Sequence, residues 1–214
     1  MNSNKTELAY EMIKRKIINW EYPPLKDIQE DKLQEELQIS RTPIREAILK
    51  LEKEGFLYIY PRKITIVTEV TSDLIEEIYL FRELNEPYLY LKAYHSMDIN
   101  WFKDMKNKFI NPPSNLSDEE LRIYLIELDT EFHSEILNNC NNRFLINTMK
   151  IVYDHNQRIR LRASFPTQVN DNSTKEHVEL IDAILSKDEN LLNELSLKHI
   201  RQAKTYLIKF FSSK

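Results

Sequence analysis

Five histidines and several carboxylates are the residues of this chain that could bind a metal ion. Asp129 and His133 are four residues apart, so both project from one face of a helix. His177 lies near the start of one predicted helix, and His199 lies in the middle of the last one. A carboxylate and three imidazoles from three helices are a reasonable ligand set for a divalent transition metal. The alternative is a group of surface or satisfied polar residues, because Asp-x-x-x-His is common by chance.

Two arginines at helical spacing could read DNA. Arg41 and Arg45 are four residues apart and share a face that differs from the apolar face of the same helix. That apolar face is formed by Ile44, Ala47, Ile48 and Leu51. A planar guanidinium can donate two hydrogen bonds to guanine O6 and N7 or to a phosphate. The alternative is a solvated helix whose arginines pair with nearby glutamates.

The composition excludes several classes of protein. Gly55 is the only glycine, so glycine-rich phosphate loops of the Walker or Rossmann type are excluded. The lone Cys140 allows no intramolecular disulfide and fits a reducing cytoplasm. Neither a secretory signal nor an apolar run long enough for a membrane span occurs, so we expect a cytoplasmic protein. Residues 1–70 carry 12 Lys/Arg and 12 Asp/Glu, which neither requires nor forbids DNA binding.

The first third of the chain has the pattern of a winged helix-turn-helix. Amphipathic stretches predict helices at about 8–20 and 28–37, and a third helix that starts at Ser40 or Thr42 and ends near Gly55. Residues 56–60 and 64–67 are rich in aromatic and β-branched residues and predict a β-hairpin. Arg62 and Lys63 lie at its tip.

From Thr71 onward every segment reads as helical, so the fold class is mainly α. We predict a winged helix-turn-helix domain over 1–70 and an all-α six-helix antiparallel bundle over 71–214. Capping boxes at Ser117/Glu120 and Ser173/Glu176 each predict a helix start. The predicted helices are near 72–95, 98–109, 118–138, 143–164, 174–186 and 189–211.

Residues 40–48, SRTPIREAI, followed by LEKEGFL at 51–57, closely resemble the GntR family of bacterial transcription regulators. The family hallmark reads SRTPVREAL…LExEGL. The resemblance implies that Ser40, Arg41, Thr42 and Arg45 contact an operator in double-stranded DNA, and that the wing reaches the minor groove or backbone. The chain departs from the family at the first turn, where Pro23-Pro24 replaces Pro-Gly, and at the wing tip, which lacks glycine. We therefore expect Arg62 and Lys63 to contact DNA by charge.

The remainder of the chain is similar to the FCD ligand-binding domain of FadR-type GntR regulators. The motifs are Arg82-x-x-x-Glu86-Pro87, Asp129-x-x-x-His133, Glu176-His177 and His199. In the metal-binding branch of that subfamily, the residues matching Asp129, His133, His177 and His199 hold a divalent ion, here zinc, nickel or manganese. The fatty-acyl-binding branch lacks this set, so the resemblance implies a small organic acid as effector. Arg82 could reach its carboxylate, or else form an ion pair with Glu86.

Together these patterns favour a cytoplasmic repressor that binds a near-palindromic operator as a homodimer. Its affinity for DNA would respond to a carboxylate effector bound at the metal. The alternative is a metal-dependent enzyme that uses the Asp/His cluster, but His-Glu-x-x-His is absent and Gly-x-Ser-x-Gly is impossible with one glycine. Arg158, Arg160 and Arg162 alternate along one helix, so we expect at most one of them to line a pocket.

Overall fold

The computed structural model describes residues 2–61, 64–163 and 167–212. The chain divides into two compact units, Met1–Val70 and Thr71–Lys214. Within the described ranges the structure is almost entirely helical, with one two-stranded sheet, which confirms the predicted fold class. None of the helices in those ranges combines the length and the hydropathy that crossing a bilayer requires.

The first unit is a winged helix-turn-helix. Three helices precede an antiparallel hairpin in which Leu57 pairs with Val67. Its core is apolar, and Ile13, Ile17 and Ile44 are fully buried. The elements are α1 (Asn2–Ile18), α2 (Glu30–Leu37), α3 (Arg41–Lys53), β1 (Leu57–Ile59) and β2 (Thr65–Val67).

Two residues with left-handed backbone set the direction of α3. Gln38 ends α2 with φ 54° and ψ 36°, which makes a tight break between α2 and α3. Gly55 follows α3 with φ 81°, as expected for a residue without a Cβ at this position. The chain therefore turns sharply on both sides of α3.

The second unit contains six helices over residues 71–163 and 167–212, as predicted. The capping box of Ser117 and Glu120 is present at the start of its third helix. The second predicted capping box is wrong, because the fifth helix begins at Thr167 and Ser173 lies inside it. The helices are α4 (Ser72–Ser96), α5 (Ile99–Ile110), α6 (Asp118–Asn138), α7 (Arg143–Arg162), α8 (Thr167–Ser186) and α9 (Glu189–Ser212).

The core of the helical unit combines an apolar part with a polar part. Leu89, Phe132 and Leu180 belong to the apolar cluster and are fully buried. Beside it lies an unusual concentration of buried polar side chains, which are rarely buried unless paired. They are Arg82, Glu86, Asp129, His133, His155, Asn156, Arg158, His177, Ser196 and His199.

A buried ion pair in α4 anchors this polar part. Arg82 Nε donates to Glu86 Oε1 at 2.5 Å, and both side chains are almost completely inaccessible. Arg82 Nη1 also donates to Asn156 Oδ1 of α7, and the Tyr90 hydroxyl donates to Glu86 Oε2. The (i, i+4) spacing of Arg82 and Glu86 predicted this pair as one of two alternatives. The pair ties α4 to α7 at the level of the candidate metal ligands.

Removing one partner of this pair should be much more damaging than removing both. Glu86→Ala leaves the guanidinium of Arg82 buried without its counter-ion, so we expect a loss of about 3–5 kcal/mol in the free energy of unfolding. The double variant Arg82→Met/Glu86→Leu buries no charge and should lose far less. Urea unfolding followed by circular dichroism measures both. Equal losses in the two variants would contradict this account of the pair.

Candidate functional site

Four potential metal ligands converge inside the helical unit, and they are the four that the sequence singled out. Asp129 and His133 come from α6, His177 from α8 and His199 from α9, and all four are buried. One ligand atom from each lies within 4.8 Å of the others. Atoms that share an ion at about 2.1 Å lie at most about 4.2 Å apart. Small side-chain movements are therefore enough to bring the set to bonding distance.

Hydrogen bonds orient the three imidazole rings. Each ring uses Nδ1 for a contact within the protein, which leaves Nε2 for the centre of the cluster. Nδ1 of His177 lies 2.7 Å from the Ser173 carbonyl oxygen, and Nδ1 of His199 lies 2.7 Å from Glu176 Oε2. Nδ1 of His133 lies 3.2 Å from the Tyr90 hydroxyl. Partners of this kind fix the ring orientation of metal-binding histidines.

The polar atoms at the centre of the cluster lack hydrogen bonds. Asp129 Oδ1, His133 Nε2 and His177 Nε2 are buried, and among the described residues none has a partner in hydrogen-bond geometry. His177 Nε2 nevertheless lies 3.0 Å from Asp129 Oδ1. Buried polar atoms without partners cost free energy and are rare in folded proteins. One carboxylate oxygen and imidazole nitrogens facing each other in this way fit a divalent transition metal.

The electrostatic environment favours the protonation states that bind metals. Burial raises the pKa of Asp129, but Arg160 and the neighbouring histidines outweigh burial and bring the pKa well below its ordinary value. Burial lowers the pKa of His133 to about 4 and the pKa of His199 well below its ordinary value. An ionised carboxylate at Asp129 and neutral imidazoles at His133 and His199 are therefore favoured, and these are the forms that ligate an ion.

Two residues that support the cluster were not recognised from the sequence. Arg160 forms an ion pair with Asp129 Oδ2, and Glu176 accepts the Nδ1 hydrogen of His199. Burial raises the pKa of Glu176 to about 7. Glu176 was assigned to a capping box, and nothing in the spacing of Arg160 relates it to α6. These contacts join different helices, so only the folded structure reveals them.

A cavity of about 490 Å³ adjoins the cluster. It touches the cluster at His199, and Arg82 forms part of its wall. Of the three alternating arginines of α7, only Arg160 lines it, in agreement with the expectation of at most one. The lining is formed by Tyr79, Arg82, Arg160, Asn172, Ser173, Glu176, His199, Arg201, Gln202, Ala203, Thr205, Tyr206 and Lys209.

The candidate DNA-reading residues are exposed at the start of α3. Ser40, Arg41, Thr42 and Arg45 all lie on the surface. Ser40 occupies the N-cap position of α3 without a side-chain capping hydrogen bond. The wing residues Arg62 and Lys63 lie outside the described residues, so their role stays a prediction.

Glu30, at the start of α2, pairs with both exposed arginines. Arg41 Nε donates to Glu30 Oε2 at 2.7 Å, and Arg45 Nε lies 4.0 Å from Glu30 Oε1. The sequence left open whether the arginines read DNA or pair with glutamates, and the structure contains the pairing. Glu30 was not recognised from the sequence, because its contacts cross from α2 to α3.

Comparison with known proteins agrees with this architecture. The FCD domain family matches residues 77–202, and the gntR family of bacterial regulatory proteins matches residues 5–67. The HTH-type transcriptional regulator YdhC of Bacillus subtilis (strain 168) is 25% identical over 203 residues, which is 95% of this chain and 86% of YdhC.

Two solved structures share the fold. McbR/YncC of E. coli matches with a TM-score of 0.78 and 19% identity over 96% of this chain and 97% of that chain. The Zn²⁺-bound FCD domain of TM0439 matches with a TM-score of 0.54 and 18% identity, over 68% of this chain and 99% of that chain.

The families and relatives that match are transcriptional regulators and not enzymes, so they do not support the alternative of a metal-dependent enzyme. Both units of the chain are accounted for by the two family matches, one in each unit. The chain belongs to the GntR family of transcriptional regulators and carries an FCD domain.

Proposed function

We propose that this regulator is a homodimeric repressor that binds a near-palindromic DNA operator and responds to a small organic acid bound at a metal site. The observation that carries the proposal is the buried Asp/His cluster beside a cavity of about 490 Å³. Cavities of this size hold small molecules. A sensor of this kind needs a binding site for the effector and a separate surface for DNA, and the two units of the chain supply one each.

The residues proposed to hold the metal are Asp129, His133, His177 and His199. Three of their atoms are buried without hydrogen bonds, and the Nδ1 contacts turn the rings toward one point. A bound zinc, nickel or manganese ion would supply Lewis acidity and a coordination position for an oxygen ligand. The FCD domain of TM0439, which shares this fold and has a zinc-bound structure, supports the proposal that this unit binds an ion.

The cavity wall favours an anionic effector. Arg82, Arg160, Arg201 and Lys209 contribute four cationic side chains, whereas Glu176 is the one carboxylate among the lining residues that the structure describes. A guanidinium can bind a carboxylate through two parallel hydrogen bonds. Arg82, Arg160 and Arg201 already pair with Glu86, Asp129 and Glu83, so we expect each of them to make only a partial contact with the effector.

The effector site is connected to α4 through α9. His199 and Arg201 both lie on α9, and Arg201 Nε donates to Glu83 of α4 at 3.0 Å. Lys204 Nζ donates to the same carboxylate at 2.8 Å. The helix α4 follows the DNA-binding unit directly in the chain. If α9 can occupy two positions relative to the rest of the unit, an effector that binds one of them more tightly shifts the equilibrium toward that position. Because α9 is linked to α4 by these hydrogen bonds, α4 would shift as well.

A stripe on α4 supports the proposed dimer. Leu80, Leu84 and Tyr88 follow each other at four-residue spacing and are 55%, 71% and 46% exposed. Large apolar side chains exposed in a row are typical of protein interfaces. A symmetric dimer would present two recognition helices to the two half-sites of an operator.

Arg45→Ala tests the proposed DNA contact. We expect the variant to lose about 1–3 kcal/mol of binding free energy and to tolerate base changes at one position of each half-site. The operator probe is a duplex that the unaltered protein selects from a random pool, and fluorescence anisotropy measures Kd. Lys53→Ala, at the far end of α3, is the matched control and should bind as the unaltered protein does. Unchanged specificity in Arg45→Ala would contradict the assignment.

His177→Ala tests the proposed metal site. The protein is loaded with zinc, passed through gel filtration and examined by native mass spectrometry, which also reports the dimer. We expect one zinc ion per chain in the unaltered protein and a loss of affinity greater than about 100-fold in the variant, because a ligand is removed.

His95→Ala is the control for this experiment, because His95 is 63% exposed and lies outside the cluster. It should retain zinc. Operator binding by the metal-free protein should be the same in both variants. Equal zinc retention by His177→Ala and His95→Ala would refute the proposed site.

A further inference from the structure

The carboxylate of Glu30 lies between the two arginines proposed to read DNA. One oxygen accepts the Nε hydrogen of Arg41 at 2.7 Å, and the other oxygen lies 4.0 Å from Nε of Arg45. Glu30 is only 27% exposed, whereas the two arginines are 64% and 70% exposed. The acid is therefore held near the protein surface while the cationic ends of both arginines extend beyond it.

This contact determines which guanidinium atoms of Arg41 remain for DNA. A guanidinium has five N–H donors, one on Nε and four on the two Nη atoms. With Nε bonded to Glu30, the Nη atoms are the pair left to donate to O6 and N7 of a guanine. The hydrogen bond therefore favours an approach in which the Nη end of Arg41 points at the edge of the base. It also restricts the rotation of the long Arg41 side chain before DNA binds.

The same contact weakens attraction to phosphates. Two arginines alone would present two positive charges to any duplex, but the shared carboxylate reduces the local charge to one. Binding without sequence preference depends mainly on phosphate neutralisation by Lys and Arg. Binding to DNA with a guanine at the position read by Arg41 is weakened less, because O6 and N7 of the guanine accept two hydrogen bonds in addition to the attraction of the phosphates.

We propose that Glu30 is a specificity-determining residue, which positions the Nη atoms of Arg41 for guanine and lowers the affinity of Arg41 and Arg45 for other DNA. The inference rests on the proposed function of α3 as the DNA-reading helix. Glu30 acts through the arginines and need not touch DNA itself.

The test compares two duplexes of equal length at one salt concentration, one selected from a random pool by the unaltered full-length protein and one a scrambled version of it. The specificity ratio is the Kd for the scrambled duplex divided by the Kd for the selected duplex. In Glu30→Ala this ratio should fall about two- to five-fold, which is the size expected for an exposed ion pair. Part of this fall should come from tighter binding to the scrambled duplex. Glu30→Gln, which keeps an acceptor oxygen without the charge, should lie between Glu30→Ala and the unaltered protein.

Asp31→Asn is the matched control, because Asp31 lies in the same turn of α2 and its replacement changes the net charge equally. Its Oδ1 accepts from Gln34 Nε2, and within the described part of the chain Asp31 acts on Arg41 through its charge alone, without an ion pair to Arg41 or Arg45. It should tighten binding to both duplexes alike and leave the ratio unchanged. Circular dichroism checks that each variant is folded.

Two further measurements separate a positioning role from a structural one. A new selection with Glu30→Ala should show weaker enrichment of guanine at the positions read by the arginines. In an Arg41→Ala/Arg45→Ala background, Glu30→Ala should no longer change the ratio. Equal effects of Glu30→Ala and Asp31→Asn would overturn the inference. If instead the arginine variants bind the selected duplex normally, the proposed function of α3 itself fails.

Discussion

The helical unit depends on keeping charged and polar side chains buried at its centre. A buried charge without a partner costs several kcal/mol, so each charge in this region has to be matched by a specific neighbour. Arg82 is matched by Glu86 and Asp129 by Arg160, and these pairs connect α4, α6 and α7. An apolar core tolerates small shifts of its helices more readily than these pairs do. The pairs therefore restrict how α4, α6 and α7 can shift relative to one another where the candidate metal ligands lie.

The polar network leaves several atoms at the centre of the Asp/His cluster without hydrogen bonds. The Nδ1 atoms of His177 and His199 have hydrogen-bond partners, whereas three atoms of the cluster that face its centre do not. Aromatic rings hold the surrounding imidazoles, since Phe109 stacks on His177 at 4.6 Å and Phe132 contacts the same ring edge-on. The missing hydrogen bonds therefore do not reflect loose packing. A preorganised metal site requires ligand atoms that are held rigidly in place and are not already bonded to other groups of the protein.

Features that depend on local sequence could be predicted, and features that join distant helices could not. The pairs Asp129/His133 and Arg82/Glu86 follow from helical periodicity. Periodicity alone could not assemble the four-residue cluster, which followed from the resemblance to FCD domains. The Ser-x-x-Glu pattern that contains Glu176 predicted a helix start, but in the structure it lies inside α8 and its carboxylate contacts α9. A local signal was overridden there by a tertiary contact.

The exposed arginines of α3 show that an ion pair and a role in recognition are compatible. The sequence presented them as alternatives, yet the pairing with Glu30 engages the Nε edge and leaves the Nη ends of Arg41 in solvent. An exposed pair contributes little to stability, so the free energy of folding gives no strong reason for it. The physical effect of the pair is on the arginines themselves. It restricts the rotation of their side chains and reduces the net positive charge at this surface. In a unit with no net charge, discrimination between sequences by the proposed DNA-reading helix would then depend more on hydrogen bonds to bases than on general attraction to phosphate.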